Sequence, residues 1–106
     1  MASRSIGETD SELGLVKVRF SDERIEKYPL RALTTIGRNV TNSIVINNNY
    51  TSASHAMFTR RGNQWWIEDL DSRNGTLLND IPITDPAIVT PGDVVAIGDV
   101  IITLEN

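Results

Sequence analysis

The stretch "HAMFTRRGNQWWIEDLDSRNGT", His55 to Thr76, decides the fold. Two runs rich in aromatic and β-branched residues, "HAMFTR" and "QWWIEDL", flank "RGN", where Gly62 or Asn63 can take the positive φ that a tight hairpin turn needs. Neighbouring residues on a strand point to opposite faces, so Trp65 and Trp66 predict one ring in a core and the other partly exposed. The stretch closes on "DLDSRNGT", whose Asn-Gly pair is a strong turn signal.

The same grammar extends in both directions. "LVKVRF" alternates apolar and basic residues with period two, and "IEKYPL" returns beside it after "SDE", which predicts a first hairpin. "ALTTIG" and "SIVI" read as short strands separated by the loop "RNVTN". "TLLND", "IPI", the turn "TPGD", then "VVAI" and "VIITLE" around "GD" complete the series. Short strands with turn residues every eight to twelve positions and no helical period predict an all-β sandwich of two twisted sheets with roughly nine to eleven strands. The first 13 residues are polar and acidic without periodicity, which predicts a flexible tail over 1–13 and one folded domain over 14–106.

Composition excludes several chemistries. With no cysteine and one histidine, neither a disulfide nor a structural zinc site is expected, and no other cofactor or metal is indicated. No run of about 18 apolar residues occurs and the N-terminus lacks an apolar signal core, so the sequence predicts a soluble, cytoplasmic domain without membrane contact. Net charge −4 and few aromatics argue against nucleic acid. All fourteen acids nevertheless lie outside Lys27 to Ile67, a window holding Lys27, Arg31, Arg38, Arg60 and Arg61, and this asymmetry marks the window as a candidate anion-facing region.

Three motifs fall in a fixed order: "IGR" at Ile36 to Arg38, "SASH" at Ser52 to His55, and "DLDSRNGT". Each is common alone. Their joint spacing, with "GDVVAIG" at Gly92 to Gly98, resembles the forkhead-associated (FHA) domain over about Leu15 to Leu104. The resemblance implies a sandwich with binding loops at one end, a phosphothreonine-containing protein or peptide as partner, and a Ser/Thr kinase or its substrates as the source of that partner. It implies that Arg38 and Ser52 contact phosphate and that Asn74 contacts the peptide main chain. It also implies that His55 points inward to hold two loops in register, that Gly75 supplies positive φ, and that Gly37 lets the chain turn so that Arg38 projects outward. The chemistry is consistent with this. A phosphothreonine carries about −1.5 to −2 charges and three acceptor oxygens, which favours an arginine fork, a short hydroxyl and no nearby carboxylate.

Two positions depart from the family pattern. Ala53 follows Ser52 where many members carry arginine, and Arg73 precedes Asn74 where threonine or serine is common. Arg73 therefore reads either as a replacement phosphate donor, as a contact to a side chain beyond the phosphothreonine, or as a solvated surface residue. A phosphate-independent protein-binding sandwich is the alternative function. An enzyme is not expected, since no P-loop, G-x-S-x-G or Ser-His-Asp arrangement is present. Thr9 in "GETDSEL" is a candidate phosphorylation site whose phosphate could close the domain's own cleft, provided that the first strand starts near the binding loops.

Overall fold

The computed structural model describes residues 13–105, all of it strand and loop. Eleven strands form two sheets. The six-stranded sheet runs β2-β1-β11-β10-β7-β8, from β1 (Gly14–Arg19), β2 (Ile25–Leu30), β7 (Leu77–Leu78), β8 (Ile81–Pro82), β10 (Val94–Ile97) and β11 (Val100–Glu105). The five-stranded sheet runs β4-β3-β5-β6-β9, from β3 (Leu33–Gly37), β4 (Ile44–Val45), β5 (Ala56–Arg61), β6 (Gln64–Asp69) and β9 (Ala87–Val89). Pairing is antiparallel except between β3 and β4, where Ile36 faces Ile44 and Gly37 faces Val45.

Alternation sorts the side chains as the sequence predicts. Val16 and Val18 of β1 and Ile102 and Leu104 of β11 turn inward against Phe58, Ile36 and Ile67 of the facing sheet, all fully or almost fully buried. Burying such side chains stabilises the fold by about 1.5–3 kcal/mol each. Trp65 is 6% exposed and joins this core, whereas Trp66 lies on the outer face, half-buried, with its indole N–H shielded from solvent and unpartnered. Gly62 takes φ 61° at the β5–β6 turn, the positive value expected there.

Two elements differ from the sequence reading. "TLLND" does not continue as strand: Asn79 (φ 50°) and Asp80 (φ 70°) form the two-residue turn between β7 and β8, the positive-φ pair that matches strand twist. Strand β9 has no counterpart in the predicted series. It is three residues long between Pro86 and Thr90-Pro91, too short for periodicity to show, and it exists because its register with Trp65, Trp66 and Ile67 extends the sheet edge.

The topology gives the sandwich two distinct ends. β3 finishes, β5 begins and β6 finishes at one end, which places the loops 38–43, 46–55 and 70–76 together. The β1–β2 and β10–β11 turns reach the same end, where Ser21 Oγ donates to Asp99 at 2.6 Å and the Tyr50 ring lies against Gly98. The opposite end carries the Gly62-Asn63 turn, Pro91 and the start of β1, with Leu13, Arg60, Trp65 and Glu105 lining one shallow cleft.

Candidate functional site

Three loops meet over a cleft of about 270 Å³ lined by Arg38, Asn49, Tyr50, Thr51, Ser52, Ala53 and Arg73. The lining residues carry two guanidinium groups, three hydroxyls and no carboxylate. Backbone bonds fix the first loop on the second: Arg38 N–H donates to Ser52 C=O at 2.9 Å and Asn39 N–H to Ala53 C=O at 3.2 Å. The Arg38 guanidinium also donates to Thr51 C=O at 2.9 Å, which orients the side chain while leaving other N–H groups of its fork free of that bond.

Gly37 serves this contact in a way that differs from the expected turn. Its φ is not in the positive range, but a Cβ there would collide with the Ala53 carbonyl and sit 2.7 Å from Asn42 Nδ2. Glycine is required because two loops touch at this point. Asn42 closes the same joint, its Nδ2 donating to the carbonyls of Asn39 and Ala53, each at 2.8 Å.

His55 is fully buried and ties the Ser52 and Gly75 loops to each other and to the end of β3. Its Nδ1 accepts from Ser52 N–H at 3.0 Å, so the ring proton resides on Nε2, which donates to Gly75 C=O at 2.8 Å. Its main chain bonds to Ile36 C=O and to Leu70 N–H, each at 2.9 Å. The imidazole is thus enclosed between the Ser52 and Gly75 loops and does not line the cleft. Ser52 Oγ accepts from Arg73 N–H at 3.0 Å, which leaves the hydroxyl proton available to a ligand in the cleft.

The third loop is organised by Asp69, a residue to which the sequence reading gave no role. Its Oδ1 accepts from Ser72 Oγ and from Thr76 Oγ1, both at 2.6 Å, and its Oδ2 from Ser72 N–H at 3.0 Å. Partial burial alone would raise the carboxyl's pKa; these three bonds outweigh it and hold the carboxyl below its ordinary value. Ser72 Oγ in turn accepts from Gly75 N–H at 2.9 Å, and Gly75 takes φ 87°. The signal was present in the sequence: an Asp three residues before a Ser is a common side chain-to-backbone turn pattern. Asn74 lies beside the cleft and not in its lining, with Nδ2 donating to Tyr50 C=O at 2.7 Å.

The acid-free window does not form one anion-facing surface. Of its five cations only Arg38 lines the cleft. Lys27 pairs with Glu105 at 3.2 Å, Arg61 with Glu68 at 3.8 Å, and Arg60 lies over the Trp65 ring. The reason is topological: β3 and β5 are antiparallel, so Arg60 and Arg61 at the far end of β5 lie a strand's length from Arg38 at the near end of β3.

Thr9 lies outside the described residues. The start of β1 does not meet the condition set for a same-molecule contact, because Leu13 lies beside Arg60 at the end opposite the loops.

Comparison with known proteins agrees with the architecture. The FHA domain profile matches residues 34–98, which include Arg38, Ser52, His55 and Asn74. The chain is 39% identical over 69 residues to FHA domain-containing protein FhaB of Mycolicibacterium smegmatis, covering 65% of this chain and 44% of that protein. It is 35% identical over 68 residues to glycogen accumulation regulator GarA of Mycobacterium tuberculosis, covering 64% of this chain and 41% of that protein. The matches thus span under half the length of these curated relatives. Among solved structures it superimposes on Mycobacterium tuberculosis EmbR in complex with a low affinity phosphopeptide, with TM-score 0.76 and 26% identity over 97% of this chain and 28% of that one. The FHA domain of CT664 protein from Chlamydia trachomatis gives TM-score 0.78 and 25% identity over 87% of this chain and 95% of that one. The two-sheet sandwich, the three-loop cleft and a profile match across more than half of the sequence make this chain a member of the FHA domain family.

Proposed function

We propose that this domain is a non-enzymatic signalling module that binds phosphothreonine peptides of partners phosphorylated by Ser/Thr kinases. One observation carries the reading: Arg38, Arg73 and the Ser52 hydroxyl converge on a cleft without a carboxylate, in a loop set fixed from below by a buried histidine. The phosphopeptide bound by EmbR, whose fold this chain shares, supports it. In this reading Arg38 and Ser52 hold phosphate oxygens, and Arg73 supplies the donor that Ala53 lacks. Asn74 offers its Oδ1 to a peptide N–H while Nδ2 stays on Tyr50 C=O. His55, Gly37 and Gly75 keep the loops in place.

Three or four charge-assisted bonds at ~1.5–3 kcal/mol each, set against the ordering of a flexible peptide, correspond to affinity on the order of micromolar. Among the described residues no helix is long and apolar enough to cross a membrane, and a cytoplasmic location is part of this proposal. Calorimetric titration with a phosphothreonine peptide and with its unphosphorylated twin tests the reading. Binding confined to the phosphorylated form is expected; equal binding of both would favour the phosphate-independent function instead.

A further inference from the structure

The proposed ligand contact Asn74 is followed by Gly75, and this pair carries a chemistry of its own. An asparagine before glycine is prone to cyclise: the glycine nitrogen attacks the asparagine Cγ, the Cγ–Nδ2 bond breaks, and ammonia leaves with the proton from the attacking N–H. Water then opens the succinimide to aspartate or isoaspartate. Nothing steric from the rest of the fold protects the pair here, since Asn74 is exposed and no atom beyond the adjoining residues lies within 4 Å of where a Cβ on Gly75 would sit. What holds the reactants apart is hydrogen bonding. The nucleophile, Gly75 N–H, donates to Ser72 Oγ at 2.9 Å, and the leaving amide, Asn74 Nδ2, donates across the cleft edge to Tyr50 C=O at 2.7 Å. Gly75 C=O is held by His55 Nε2 at 2.8 Å, and Ser72 by Asp69.

We infer that Asn74 is a deamidation site gated by opening of the 70–76 loop, so that the bonds shaping the proposed phosphopeptide site also suppress a reaction that inactivates it. The product side chain has no N–H to give Tyr50 C=O. It places a carboxylate beside the cleft where the ligand's phosphate would lie, and like charges repel. This functional consequence rests on the phosphothreonine reading; the reaction and its gating do not.

The gating is tested by ageing the full chain and a synthetic peptide of residues 69–79 in neutral buffer at body temperature. Mass spectrometry follows the gain from replacing NH2 by OH at Asn74, and NMR follows hydrogen exchange of the Gly75 amide. The folded chain is expected to deamidate about tenfold or more slowly than the peptide, by a factor within about threefold of the Gly75 exchange protection. Ser72→Ala, which removes the acceptor, is expected to raise the rate several-fold. Deamidation of the folded chain at the peptide's rate, or slow deamidation while the Gly75 amide exchanges freely, would overturn the gating, and neither readout depends on how the variant folds. The aged fraction, separated by charge, is then titrated with phosphothreonine peptide alongside fresh protein. A loss of tenfold or more is expected, and equal binding would overturn the inactivation. Failure of the fresh protein to bind would instead sink the functional reading and leave the ageing result standing.

Discussion

Both ends of the sandwich carry a pair of arginines, and the two pairs are used differently. At the far end Arg60 and Arg61 lie over the rings of Trp65 and Trp66, at 5.0 and 5.1 Å from their centroids, and Arg61 also meets Glu68. At the loop end Arg38 bonds only a carbonyl among the described residues, and it lines a cleft with Arg73 that contains no carboxylate. A guanidinium already spread over a ring or facing a carboxylate has little left for a ligand. One held by a single neutral acceptor keeps most of its charge and its fork available. Location of an anion site thus follows from what the arginines already touch, and not from how many occur along a stretch of chain.

The comparison is broken most readily by removing one arginine from each end. Arg38→Ala is expected to weaken phosphothreonine-peptide binding at least tenfold, from loss of a charge-assisted pair worth ~1.5–3 kcal/mol, with an unchanged melting temperature. Arg60→Ala is expected to leave binding unchanged and to lower the melting temperature slightly through lost ring contact. Titration and thermal melts of both variants check this, and equal effects on binding would erase the distinction between the ends.

The loop end also differs in resting on buried polar groups. His55→Ala would strand Ser52 N–H and Gly75 C=O, so both stability and affinity should fall, the former by about 1–3 kcal/mol. Chemical denaturation alongside titration measures this; a variant of normal stability that cannot bind would make His55 a direct ligand.

Asp69 predicts a pH dependence confined to this end. Its carboxyl is held below the ordinary range by three hydrogen bonds that outweigh burial, so the ionised form is preferred in the folded state. The stability it contributes is present above the unfolded-state carboxylate pKa and is lost as pH falls through the lower folded-state value. The exchange protection of the Gly75 and Thr76 amides, relative to their intrinsic rates at each pH, should therefore fall in acid more steeply than that of Arg61 or Gln64. Asp69→Asn should flatten that slope, and a uniform acid response along the chain would show that Asp69 is not the anchor.

The smallest effect expected concerns the two departures from the family pattern. Arg73→Ala should weaken phosphopeptide binding several-fold, and Ala53→Arg should strengthen it. Because both would address the same phosphate, a double-mutant cycle should show coupling of about 0.5–3 kcal/mol. Additive effects would assign Arg73 to another part of the ligand or to solvent.

Much of this was legible in the sequence because it is written in local pattern. Period-two alternation turned Val16 and Val18 to one face and sent one tryptophan inward without saying which, and the resemblance carried by the Arg38, Ser52 and Asn74 motifs implied binding loops at one end. What escaped depended on approach in space. The need for glycine at position 37 comes from the Ala53 carbonyl, sixteen residues on, and the turn pattern gives no hint of it. The charge window misled because strand direction, not sequence proximity, decides which end an arginine occupies. Asp69 was hidden in plain view, since an acid beside a proposed phosphate site looks unfavourable until its oxygens are seen to be turned into the loop.

In the proposed complex the ligand phosphate lies between Arg38, Ser52 and Arg73, and amide shift mapping locates it residue by residue. The labelled chain is titrated with a phosphothreonine peptide and, separately, with the unphosphorylated peptide. Large shifts are expected at Arg38, Ser52, Arg73 and Asn74 with the phosphorylated peptide alone, and none at Arg60, Arg61 or Gln64. Shifts centred on the Arg60–Trp65 end, or the same shifts with both peptides, would contradict this placement.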